Sequence, residues 1–285
     1  MINERRADQG AGRPRGPALI LAVAVALLGV ACRQGQSGPE PTGSEPPEAA
    51  QAGETAEDEC RTFGRLLGLD VLAQELDAPS QSPRDVAQAY ATRAPEGLRD
   101  AAFEGCLAGV QAAVAMEQEA ARIAPAAAQA AERAGCTRIR VTPDEGRTHL
   151  QEGDPPPEYR TTPAASGPHR SVTLPPETSV YHEPVDEPTA VHNLEHGYAL
   201  LYYRPQDPTV GPEVVAMVEG LAREFEKVVV APHRGLPGEA GLAMVAWRRL
   251  QRCPPPIAAA DAEAVARSFV LRFAATDVAP EPLGG

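Results

Sequence analysis

Residues 191–203 read VHNLEHGYALLYY, and this stretch places a histidine pattern directly against a strand signal. The part ALLYY is apolar and aromatic and stops just before Pro205, which predicts a buried strand. Ahead of it His192, Glu195 and His196 form an H-x-x-E-H pattern. On a strand rising about 3.3 Å per residue, His192 and His196 would stand roughly 13 Å apart, too far to share one ion. On a helical turn they stand on one face, one above the other, with Glu195 beside them. A metal site therefore needs a bend at residues 192–196, and Gly197 is placed to end it. The competing reading is a braced turn, in which His192 bonds a backbone carbonyl and His196 pairs with Glu195, as loops poor in regular hydrogen bonds require.

Downstream, GPEVVAMVEGLAREFE predicts a helix with Val214, Val215, Val218, Leu221 and Ala222 on one face. KVVVAP and LAMVAWRRL predict two further strands, and AADAEAVARSFVLRF a last helix with Ala262, Val265, Phe269 and Phe273 inward. Upstream, CTRIRVTPDEG offers a short strand in which Ile139 and Val141 alternate with Arg138 and Arg140. Between that strand and the opening motif, residues 154–188 are too rich in proline for a regular helix or a central strand. A loop of that length in a compact domain is functional or disordered. The expectation for residues 135–275 is an α+β domain: a small mixed sheet packed with helices and carrying a long Pro-rich loop. Residues 276–285 are expected to be a disordered tail.

Residues 57–134 read as an alanine-rich helical segment of three helices, interrupted at PSQSP. Leu98, Ala102, Cys106, Val110 and Val114 recur every four residues and turn Cys106 towards the first helix, where Cys60 lies. The layout therefore favours disulfides Cys60 to Cys106 and Cys136 to Cys253, although four cysteines allow three pairings.

The chain begins with Arg5, Arg6, Arg13 and Arg15, then an uncharged run of 16 residues, 16–31, ending at Cys32. A basic start followed by an apolar run shorter than the ~20 residues of a membrane span describes an export signal over residues 1–31. LLGVAC resembles the lipobox of bacterial lipoproteins, with Gly29 in place of the usual leucine. The resemblance implies lipidation of Cys32 and a membrane partner reached through that lipid; ordinary secretion is the alternative. Residues 32–56, rich in Gly, Pro, Ser and Glu, are expected to be a disordered tether.

The net charge is −13, and residues 1–31 carry four Arg against Glu4 and Asp8, so the remainder stands at −15. An acidic chain without a basic run argues against a nucleic-acid partner. Chemistry is concentrated in the histidines. Of six, His149, His169, His182, His192 and His196 lie between Gly146 and Gly197, while His182 and His233 read as solvent-facing. Neutral imidazole is a common transition-metal ligand, and histidine with carboxylate suits zinc or copper among others. The expected ligands are His169, His192 and His196, with His149 or Glu195 completing the set. An enzyme would use the same histidines with Glu195 as general base, and a structural or interaction module would use no metal. H-x-x-E-H also resembles the inverted zinc-protease motif, but that motif lies within a long helix, whereas this one precedes a strand. No G-x-S-x-G, phosphate-cradling glycine loop or C-x-x-C is present.

Taken together, GRTHL, EYRTTPAASGPH, SVYHEPVDE, VHNLEHGYALLYYRP and VVVAPHRGL resemble the bacterial family called domain of unknown function 3105, over about residues 135–273. The resemblance singles out Ser166, Gly167, Pro168, His169, His192, Asn193, Leu194, Glu195, His196 and Gly197, and implies an exported or membrane-anchored protein. Ala164, Ala165 and His233 depart from the family pattern. The family supplies a fold expectation and no reaction.

Overall fold

The computed structural model describes residues 48–282; the expected export signal, Cys32 and most of the expected tether lie outside them. The described residues form one compact unit, so the helical segment and the α+β domain are packed together. Its helices are α1 (Glu48–Leu67), α2 (Leu69–Glu75), α3 (Pro83–Ala91) and the long α4 (Arg99–Arg133), then α5 (Glu187–Glu195), α6 (Pro212–Glu224) and α7 (Ala259–Phe273). Its strands are β1 (Arg140–Val141), β2 (Ala199–Tyr203), β3 (Val228–Pro232), β4 (Leu242–Ala246) and β5 (Arg249–Cys253). The fold is α+β, with one five-stranded mixed sheet in the order β1-β5-β4-β2-β3.

Strands β2 and β3 are parallel and joined through α6, while β4 and β5 run antiparallel to their neighbours. LAMVAWRRL, expected as one strand, is a hairpin. Ala246 pairs with Arg249 across Trp247 and Arg248, and Arg248 takes a positive φ of 55°. The period-2 alternation of a strand sends successive side chains to opposite faces. Ala199, Leu201, Val228, Val230, Leu242 and Met244 face a core closed by α6, α7 and Ala130 of α4. Leu200, Tyr202, Val229, Ala231, Ala243 and Val245 face a second core.

Among the described residues, α5 is the only helix in that second core. Ala164, Ala165 and Leu174 of the Pro-rich segment, Leu236 and Ala240 cover it, with Ala190, Val191 and Leu194 of α5. The segment is thus a packing layer, and its backbone polar groups need partners that a sheet or helix would otherwise supply. Residues 179–181 bond along the free edge of β3, through Tyr181 N–H to Val230 O at 2.9 Å and Val230 N–H to Ser179 O at 2.8 Å.

The helical segment has its own core, built on Ala56, Leu72, Val86, Tyr90, Ala102 and Val110. α1 starts at Glu48, inside the stretch expected to be tether. α4 leaves this core and lies on α7, where Arg133 pairs with Asp261 at 2.6 Å. Arg65 of α1 donates to the carbonyls of Leu271 and Ala274 at 3.2 and 2.7 Å, satisfying the end of α7. Cys60 is bonded to Cys106 within the helical segment, and Cys136 to Cys253 joins the start of the α+β region to β5. Two such bonds belong to chains that fold in an oxidising compartment. No helix among the described residues is long and apolar enough to cross a membrane.

α1 and α4 touch backbone to backbone. A Cβ on Gly105 would stand 2.0 Å from the Gly53 carbonyl oxygen, and one on Gly109 2.1 Å from that of Glu57. On an open helix Gly→Ala stabilises by about 1 kcal/mol, whereas overpacking costs about 1–3 kcal/mol. Chemical denaturation of Gly109→Ala is therefore expected to show a net loss of about 1–2 kcal/mol, opposite in sign to the same change at exposed Gly97, which has nothing within 4 Å.

Candidate functional site

α5 supplies the bend the histidine pattern requires. Asp186 caps its start, accepting from Thr189 N–H at 3.1 Å and from the Thr189 hydroxyl at 2.7 Å, and Pro188 occupies the first turn. Its last turn holds His192, Asn193, Leu194 and Glu195, all buried, and Gly197 ends it with φ of 82°. His192 and His196 are therefore neighbours, with their Nε2 atoms 3.0 Å apart. Asn193 ties the turn to the Pro-rich segment, its Oδ1 accepting from Leu174 N–H at 2.8 Å.

His169 arrives from that segment and is fully buried. The SGPH residues before it act as its mount. Ser166 donates to the Pro143 carbonyl at 3.1 Å and accepts from Glu145 N–H at 3.2 Å, so its hydroxyl is engaged structurally. Gly167 packs on Tyr159, whose ring a Cβ would meet at 2.9 Å, and Tyr159 OH donates to Pro168 O at 2.7 Å. His149 is locked to His169 by a parallel bridge: Leu150 N–H donates to His169 O at 2.7 Å, and His169 N–H to Thr148 O at 3.0 Å. Bridged residues point the same way, and the two rings have centroids 5.0 Å apart.

One ligand atom from each of His149, His169, His192 and Glu195 lies within 4.8 Å of the others. His149 is exposed and the other three are buried, so the group opens to solvent on one side. The expected set of His169, His192 and His196 is only partly brought together. His169 and His192 converge, His149 takes the third position, and His196 falls in an adjoining group with Glu195 and Glu281. His196 Nδ1 is tied to the Glu281 carbonyl at 3.0 Å, which holds its ring to one side.

The electrostatics of the group are unbalanced. His169 Nδ1 sits 2.9 Å from the Gly167 carbonyl oxygen, so the neutral ring carries its proton there and Nε2 presents a lone pair. That Nε2 lies 3.0 Å from Glu195 Oε2, yet has no hydrogen-bond partner. With the proton on Nδ1 alone two acceptors face each other here, and with both ring nitrogens protonated the contact is a His–Glu ion pair; His169 is fully buried and Glu195 3% exposed. The Arg147 guanidinium, 3.9 Å from the other Glu195 oxygen, is half exposed and bears on the rim only.

The remaining histidines lie elsewhere. His182 is exposed, 3.5 Å from Glu219. His233, expected to face solvent, is half-buried on Tyr202 and lies 3.4 Å from Glu187, whose carboxylate also accepts from Ala164 N–H at 2.7 Å. Glu281 was not legible beforehand, because it falls in the expected tail. Residues 276–282 instead lie back over the end of α5. Glu281 N–H donates to Glu195 O at 3.0 Å, and Lys227 Nζ to Pro282 O at 2.8 Å and His196 O at 2.9 Å.

Residues 151–283 match the model of the family described as protein of unknown function, DUF3105. The DUF3105 match contains His169, His192, Glu195, His196 and Glu281, and leaves out His149, which stands two residues before it. No curated protein and no solved structure matches the chain.

Burial pulls the His192 imidazole down to about 4, with the His169, His196 and His149 rings adding to it and the Val172 backbone opposing. A histidine lowered in the folded state from 6.5 is neutral there while the unfolded chain takes up the proton first. Its contribution to stability is present above pH 6.5 and is lost as pH falls towards 4. Discounted for solvent screening, the protein should lose roughly 1–2 kcal/mol from this group between pH 7.5 and pH 5. Urea titrations at the two pH values should show the loss in the wild type and a smaller one in His192→Gln.

Proposed function

We propose that the DUF3105 region binds one divalent transition-metal ion, zinc or copper, through His149, His169, His192 and Glu195, to hold or deliver it. The observation that carries this reading is the convergence of one ligand atom from each of His149, His169, His192 and Glu195 within 4.8 Å, with His169 Nε2 3.0 Å from Glu195 Oε2. With the His169 proton on Nδ1, Nε2 and the carboxylate oxygen are both donors of electron pairs, and a cation between them is coordinated by both. Ligands about 2.0–2.1 Å from one ion stand about 3.3 Å from each other, so a group already within 4.8 Å closes on an ion by small side-chain movements. The donors are nitrogen and oxygen, and the four cysteines of the described residues are in disulfides, which favours zinc(II) or copper(II) over copper(I).

The second reading, an enzyme with Glu195 as general base, draws support from the open side at His149, where water or substrate has access. It is weaker, because Glu195 Oε2 stands 3.0 Å from His169 and 4.0 Å from His192, as a ligand does. The protein acts outside the cytoplasm, held at a membrane by lipid on Cys32; the export-type start and the two disulfides support that placement.

Metal analysis of the purified chain with calorimetric titration tests the binding. The wild type should take up one equivalent of zinc or copper, and His169→Ala or exposed His149→Ala should lose roughly a hundredfold or more in affinity, at or beyond the cost of removing an outer partner. Uptake unchanged in both variants, or no uptake by a folded wild type, would sink the reading.

A further inference from the structure

The chain offers two overlapping ligand groups. One is His149, His169, His192 and Glu195, and the other is Glu195, His196 and Glu281, each with ligand atoms within 4.8 Å of one another. They share Glu195, and they meet where His192 Nε2 and His196 Nε2 stand 3.0 Å apart. Because His196 Nδ1–H donates to the Glu281 carbonyl at 3.0 Å, its Nε2 is the lone-pair nitrogen and accepts from His192 Nε2–H. The first group is buried apart from His149, while the second ends on Glu281, whose side chain is 54% exposed.

We propose, resting on the metal-binding reading above, that the second group is an alternative position for the same divalent ion, through which it passes between the buried group and solvent. Glu195 remains bound throughout, and the ion exchanges His192 for His196 across an edge of 3.0 Å, close to the roughly 3.3 Å edge of a tetrahedral ion. It therefore moves without losing its whole ligand shell. The two positions are occupied one at a time. Glu195 and Glu281 supply two negative charges and Arg147, 3.4 Å from Glu281, returns a positive one, too little to hold two dications this close. The strap that brings Glu281 in is fixed by its backbone, through Glu281 N–H to Glu195 O, so its carboxylate can be altered without releasing the strap.

The test is the release of zinc from the loaded full chain into excess EDTA, at EDTA concentrations where the rate no longer depends on the chelator. Removing a transfer position slows entry and exit together and leaves the equilibrium nearly unchanged. Glu281→Gln should slow release by about fivefold or more while changing Kd by less than about twofold, whereas His196→Ala, which also removes the partner of His192, should slow release and weaken binding together. Glu281→Gln decides the matter should His196→Ala fail to fold. A single zinc equivalent with release unchanged in Glu281→Gln overturns the transfer position and leaves the binding reading standing. Two equivalents bound at once overturn the one-at-a-time occupancy on which it rests, and no zinc bound at all overturns both readings.

Discussion

A sheet whose two faces are both apolar must be covered twice, and this chain has α6, α7 and part of α4 for one face only. The other face is closed by irregular, proline-rich backbone around the short α5. Such backbone cannot satisfy itself, so side chains must do so: Ser166 to Pro143 and Glu145, Glu187 to Ala164, Asn193 to Leu174. Those bonds fix the path of the segment to the point where His169 enters the core. The mount for the histidines is thus a consequence of how the sheet is covered.

Within that mount His169 and Glu195 meet at 3.0 Å, both buried. Polar groups this buried are ordinarily paired, and His169 Nε2 is not. The helix cap at Asp186, the bridge between His149 and His169 and the strap of residues 276–282 all act to hold these groups together. Three separate elements thus converge on one group of His and Glu side chains that could hold a metal ion.

Much of this was legible in the sequence and some was not, for identifiable reasons. The inward faces of α6 and α7 follow from 3.6-residue spacing, and Val214, Val218, Phe269 and Phe273 are buried accordingly. α5 was hidden by its prolines. Its start carries the signal of a capping Asp186 with Pro188 in the first turn, which outweighs the proline content before it. The split of LAMVAWRRL into β4 and β5 rests on the positive φ of Arg248, which no glycine announces. β1 is shorter than the alternation suggested, and Val141 is 65% exposed because it lies on the outermost strand. The strap at residues 276–282 gives no local signal, because it is held by bonds to residues more than 50 positions away.

By itself the sequence determined the fold class and the requirement that residues 192–196 turn, since periodicity and chain geometry are local properties, and it favoured without fixing the disulfide pairing that the structure shows. The choice of partners for His192 and Glu195 was decided by the tertiary structure. His149 and His169 meet through a two-bond bridge between loop segments 20 residues apart, while His196 is drawn aside by a carbonyl 85 residues later. Distances of a few ångströms between such segments are set by packing of the whole second core, and no local pattern encodes them.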